Sequence, residues 1–98
     1  MKSLRLKSPA DLDYLQAIDW YEQRQLGLGC EFELELQALF ERIKSNPEFF
    51  SKVTPTVHKA RMRRFKYGIY FPIEGDEIGV LAIYHPSRNP GALRRRLK

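Results

Sequence analysis

Ile78-Gly79-Val80-Leu81-Ala82-Ile83-Tyr84 is nearly all apolar, as expected of a central strand covered on both faces. Immediately before it, Glu74-Gly75-Asp76-Glu77 reads as a hairpin loop. Upstream the period is two from Lys59 onward. Arg61, Arg63 and Phe65 alternate with Ala60, Met62 and Arg64, then Tyr67, Ile69, Phe71 and Ile73 with Gly68, Tyr70 and Pro72. Pro72 has no N–H for a ladder bond, so its strand is expected at an edge or bulged there.

The first half reads differently. Leu4 and Leu6 alternate with Ser3, Arg5 and Lys7 as a short half-buried strand. Ser8-Pro9-Ala10-Asp11 supplies a helix start, with Ser as cap, Pro at the first helical position and an acid three residues after the cap. That helix is expected to run to about Gln25, with Leu12, Leu15, Ile18 and either Tyr14 or Tyr21 inward. Gly27-Leu28-Gly29 breaks it with a tight reversal. A second helix places Phe32, Leu36, Leu39, Phe40 and Ile43 on one stripe and ends at Ser45-Asn46-Pro47. The two make an antiparallel hairpin, with Trp20 and Tyr21 packing it against a sheet. The order β-α-α-β-β-β is an α+β fold, a helical hairpin on one face of a small, mainly antiparallel sheet.

With 98 residues and 43% hydrophobic content, residues 1–98 are expected to form one domain with a modest core. Its basic tail, residues 91–98, is expected to be flexible. No apolar run is long enough for a membrane span. The charged N-terminus lacks a signal-peptide stretch, which predicts a cytoplasmic protein. One cysteine and two unspaced histidines predict neither a disulfide nor a metal site. Cys30 reads as an inert thiol near a helix start and His58 as a loop residue. Nucleotide-binding loops, HExxH and GxSxG are absent, and no cofactor is expected.

Charge is divided unevenly. Residues 1–51 carry six Lys/Arg against nine Asp/Glu, a net −3, and residues 52–98 carry eleven against three, a net +8. Such asymmetry suits a negatively charged partner, nucleic acid or an acidic protein segment. Arg61, Arg63, Arg64 and Lys66 fall within six positions, interleaved with Phe65 and Tyr67. Guanidinium groups bind phosphate through paired hydrogen bonds and stack on bases. His85 follows the last strand, with Arg88 three residues on. That pair could take a proton from a ribose hydroxyl and offset charge building up on a phosphate. Equally, His85 could simply bond backbone groups and orient the loop. Arg94, Arg95 and Arg96 would add sequence-independent affinity for polyanions.

Together, several segments resemble the RelE/ParE family of toxins from bacterial type II toxin–antitoxin modules, which include plasmid-stabilization systems. Ser8-Pro9, Asp11-Leu12 and Asp19-Trp20-Tyr21-Glu22 look like that family's first helix. Gly27-Leu28-Gly29 with Phe32 is similar to its hairpin turn, and Ile43 to Pro47 resembles its "I..NP" helix close. Arg61 and Arg64-Phe65-Lys66-Tyr67-Gly68-Ile69-Tyr70 look like its "R…RFPY.I.Y" strands, and Val80 to His85 with Arg88 and Pro90 resembles its "VLAI.H..R.P" end. Three positions depart. Lys66 replaces the proline of "FPY", Pro72 stands where an ordinary or basic residue is typical, and Leu93 replaces a tryptophan common in the family's ending.

The resemblance implies a toxin neutralised by a cognate antitoxin that wraps an extended segment or helix over it, with operator DNA bound only through their complex. ParE-like members inhibit DNA gyrase, and the "H..R.P" ending looks more like these. RelE-like members cleave messenger RNA in the ribosome. In that alternative His85, Arg61, Arg64 and Arg88 would be catalytic. Arg63, Lys66, Tyr67, Tyr84, Arg94, Arg95 and Arg96 would bind the nucleic acid or other target. A third reading, prompted by the departures, is an inactive module that only binds its antitoxin.

Overall fold

The structure, a computed structural model, describes residues 1–97; Lys98 of the expected basic tail lies outside the described residues. Two helices, α1 (Ala10–Arg24) and α2 (Leu28–Ser45), form the expected hairpin. Helix α2 buries Phe32, Leu36, Leu39, Phe40 and Ile43, the stripe read from the sequence. Helix α1 turns a different face inward. Leu12 and Leu15 are 53% and 60% exposed, while Ala10, Asp13 and Ala17 are buried and Tyr14, Ile18 and Tyr21 pack at the margin of the core. The two alanines let the helix approach the sheet closely, and that close approach sets its phase in place of the larger leucines. Ser8 makes no capping bond. Asp11 Oδ1 instead accepts the Leu12 N–H at 2.8 Å.

The hairpin turn has two requirements that glycine meets. Gly27 sits at φ +87°, in the left-handed region. At Gly29 a Cβ would lie 2.7 Å from the Ile18 carbonyl oxygen, so the helices could not approach as they do. Glu22 Oε2 and Oε1 accept the Gly27 and Gly29 N–H groups at 2.9 and 3.0 Å. One carboxylate thereby satisfies donors that the start of α2 would leave orphaned.

Six strands follow the expected regions but are divided more finely: β1 (Ser3–Leu6), β2 (His58–Arg61), β3 (Gly68–Phe71), β4 (Ile73–Glu74), β5 (Glu77–Val80) and β6 (Ala82–Tyr84). They make two three-stranded sheets, β1-β5-β4 and β2-β3-β6, with β1 parallel to β5 and the other pairs antiparallel. The apolar run from Ile78 to Tyr84 is therefore two strands in two sheets, not one central strand. Register explains the break. Between the pairs Tyr70↔Ala82 and Ile73↔Ile78, Phe71-Pro72 on one side face Gly79-Val80-Leu81 on the other. The extra residue is a bulge, and it lies where Pro72 could not have donated a ladder bond. Leu81 N–H still donates to Tyr70 O at 2.8 Å and holds the two sheets in one twisted ribbon.

Two further expectations are corrected. His58 is a strand residue, not a loop residue. It is buried in β2, donates from Nδ1 to Phe50 O at 2.7 Å and stacks on Phe71. The period-two reading also runs too far, because β2 ends at Arg61 and residues 62–67 form a loop closed by Met62 N–H to Tyr67 O at 2.8 Å.

The basic tail is not a flexible end among the described residues. It is a helix, α3 (Pro90–Leu97). Asn89 caps it, accepting the Gly91 N–H on its side chain at 2.9 Å, with Pro90 at the first helical position. Leu93 and Leu97 pack against a cluster of Val57, Tyr70, Ala82 and Tyr84.

Candidate functional site

The β2–β3 loop carries the cationic cluster, and two acids on α2 hold the loop in place. Glu35 Oε2 accepts the backbone N–H groups of Arg63 and Arg64 at 2.9 and 3.3 Å, and Glu31 bonds the Arg64 guanidinium at 2.5 Å. Arg64 is thus neutralised within the fold. Lys66 has φ +62°, a conformation that the locked ring of proline excludes. The turn at Lys66 is therefore one that a proline at this position could not make. Arg61, Arg63 and Lys66 line an open groove of about 670 Å³ together with Met62 and Pro86, and no acid lines it.

A second cavity, of about 390 Å³, lies between α1 and the loop after β6. Tyr67, His85, Ser87 and Arg88 form one wall, and Ala17, Trp20 and Tyr21 the other. The rings of Trp20, Tyr21, Tyr67 and His85 form an unbroken chain, with successive centroids 5.0, 6.2 and 5.3 Å apart. Burial pushes the Tyr67 hydroxyl above the ordinary phenol range, reinforced by Tyr21 and opposed by the Arg88 charge. Burial likewise raises Tyr21. Both remain protonated near neutral pH.

The ring of His85 is oriented by its own loop. The Ser87 backbone N–H donates to His85 Nδ1 at 3.1 Å, and Ser87 Oγ lies 2.8 Å from the same atom. A backbone N–H can only donate, so Nδ1 is the acceptor and the neutral ring carries its proton on Nε2. The lone pair that a general base requires is already engaged by Ser87. Arg88 stacks over the Tyr84 ring at 5.0 Å and forms no ion pair among the described residues.

The other sequence candidates are spread around the molecule. Trp20, expected in the helix–sheet packing, is 49% exposed with Arg24 4.0 Å over its ring, while Tyr21 alone reaches Phe32, Phe65 and Tyr67. Tyr84 is buried, with the Arg88 and Arg96 guanidinium groups 5.0 and 4.9 Å from its ring centroid. Arg96 is turned inward to Asp13, at 2.5 and 3.0 Å, and is held above its usual value chiefly by that bond. Arg94 and Arg95 remain on the exposed side of α3. Arg61, Arg63 and Lys66 thus share the groove and Tyr67, His85 and Arg88 the cavity, while Arg64, Tyr84 and Arg96 line neither. Sequence reasoning missed Gln16, Trp20 and Tyr21 as cavity residues, though their i, i+4 and i+5 spacing on one helix could have grouped them. Cys30 is exposed. Among the described residues no three His, Cys, Asp or Glu side chains converge as a metal site would require.

No family model matches the chain, and no curated protein matches its sequence. Its structure is similar to a chain from the chromosomal ParDE TA system of P. aeruginosa, at a TM-score of 0.73 and 19% identity, covering 87% of this chain and 96% of that one. The motif resemblance and this likeness of structure agree on the architecture, and the chain has the α+β fold of the RelE/ParE type.

Proposed function

We propose that the chain is the toxin component of a type II toxin–antitoxin module, neutralised by a cognate antitoxin, and that it arrests growth by binding DNA gyrase or another target. The fold likeness to a chain of a ParDE system supports the general reading. One observation favours binding over cleavage: His85 Nδ1 accepts from the Ser87 N–H. The neutral ring therefore presents a donor, and no other His lies in the site to act as base. On this reading Arg61, Arg63, Lys66 and Arg88 act as contacts, and an acidic antitoxin segment would suit the same unpaired charge.

Induction of the chain without a partner is expected to stop growth. New messenger-RNA 5′ ends should stay at background, and supercoiling by purified gyrase should fall. The second reading, a ribosome-dependent endoribonuclease, rests on the concentration of unneutralised cations around the groove. Codon-phased cuts in translated messages together with unimpaired gyrase would replace the first reading with the second. If His85→Ala then kept full cleavage, His85 would not be the acid or base.

A further inference from the structure

We infer that the cavity between α1 and the His85–Arg88 loop is a binding site for a nucleoside monophosphate, purines ahead of pyrimidines. The inference concerns a small ligand on the folded chain and does not depend on which macromolecule the chain arrests.

The lining combines two chemistries. The rings of Trp20, Tyr21, Tyr67 and His85 meet edge-on, at 89°, 63° and 70°, so the half-exposed indole of Trp20 is what offers a face to a flat aromatic body. Trp20 is half exposed, and Arg24 over its ring holds it in place. The polar lining is Gln16, Ser87, the Tyr21 and Tyr67 hydroxyls, His85 and Arg88, and its only full charge is positive. Arg88 offers a guanidinium with no acid partner among the described residues, steadied by its stack on Tyr84. His85 offers Nε2–H, because Nδ1 is taken by Ser87. No Asp or Glu lines the cavity. A guanidinium and an imidazole N–H lining one cavity can both donate to a phosphate. Arg61, Arg63 and Lys66 add positive potential from the groove that Pro86 also lines. The volume, about 390 Å³, falls within the ordinary range for small-ligand sites. A planar base joined to a phosphate meets both chemistries, whereas a purely apolar ligand would leave Arg88 unused and a bare anion would leave the indole unused. Purines stack over more area than pyrimidines, which sets their order.

Trp20 is the chain's single tryptophan, so its fluorescence reports on this cavity without a label. The purified full chain would be titrated with AMP, GMP, CMP, UMP, adenosine, guanosine and inorganic phosphate, with excitation at a wavelength that the bases do not absorb. Saturable quenching is expected with the monophosphates, about tenfold tighter than with the matching nucleosides. Arg88→Gln, with an unchanged circular dichroism spectrum, should erase that advantage and leave the nucleoside response. Saturation transfer from the protein to the base protons, lost in Trp20→Leu, gives a second reading independent of fluorescence. Equal affinity for nucleosides and monophosphates, an unaltered response in Arg88→Gln, or no response to any monophosphate would overturn the assignment. Binding is read on purified chain, so failure here is separate from failure to arrest growth.

Discussion

Asp13 is 3% exposed and uses both carboxylate oxygens. Oδ2 accepts the Ile83 N–H at 3.0 Å and Arg96 Nη1 at 2.5 Å, and Oδ1 accepts Arg96 Nη2 at 3.0 Å. Arg96 also reaches Leu81 O at 3.3 Å. The pair therefore supplies an acceptor and a donor to the open edge of β6, where a neighbouring strand would otherwise supply them. Removing one partner of such a pair leaves a buried charge without compensation. Arg96→Ala is expected to cost about 3 kcal/mol, read as a fall in the urea midpoint, whereas Arg94→Ala and Arg95→Ala should stay within about 0.5 kcal/mol of the parent. Nothing in the sequence marked Asp13 as buried, because an acid on a helix is ordinarily solvated and its partner is 83 positions away. Lys66 allows a test of opposite sign. Its φ of +62° strains any side chain with a Cβ. Lys66→Gly should stabilise by about 1 kcal/mol, and Lys66→Pro should lower the melting temperature.

At the scale of elements, α2 was legible and α1 only in part. The stripe of α2 is large and apolar throughout, so periodicity and packing agree. In α1 the inward positions are two alanines and an aspartate, which a hydrophobicity count ranks below Leu12 and Leu15. The difference is measurable. Leu12→Ser and Leu15→Ser should each shift stability by less than about 1 kcal/mol, against roughly 2–5 kcal/mol for Leu36→Ala. Equal losses would mean that α1 is rotated relative to the structure. The strand regions were legible in outline but not their ends or interruptions; a bulge is a property of register between two segments and neither segment carries it alone. Pro72 was the one local signal, and it stands opposite the extra residue. Helix α3 was missed although Asn89-Pro90 is a cap followed by a first helical position, and Leu93 and Leu97 are one turn apart. The run of arginines drew the reading toward a solvated tail.

Across the whole molecule, the acidic first half is partly consumed in holding the basic second half. Glu31 and Glu35 bind the β2–β3 loop and Asp13 binds α3, so the free positive charge is smaller than the sequence count, and part of it lies at the groove and cavity. That distribution could not be read from the chain, because it depends on which cations find partners. The aromatic centre predicts the alkaline limit of the fold. Burial raises Tyr14, Tyr21 and Tyr67 above the ordinary phenol value, so the folded chain keeps protons that the unfolded chain loses. The corresponding stability is fully present below about pH 10 and falls as pH rises through the folded values. Urea midpoints at pH 8 and pH 11 should show the decline, and Tyr67→Phe should lessen it.

The union of Asp13 with Arg96 also has a consequence in time. During synthesis the thirteenth residue leaves the ribosome long before the ninety-sixth, and the exit tunnel delays their meeting further. Until then the nascent chain carries an uncompensated carboxylate where its interior should close. Ribosome-tethered chains in which Arg96 is still inside the tunnel should be cut by protease faster than those in which it has emerged, and Arg96→Ala should remove that difference. The interior would then close only after Arg96 is free of the machine that made it.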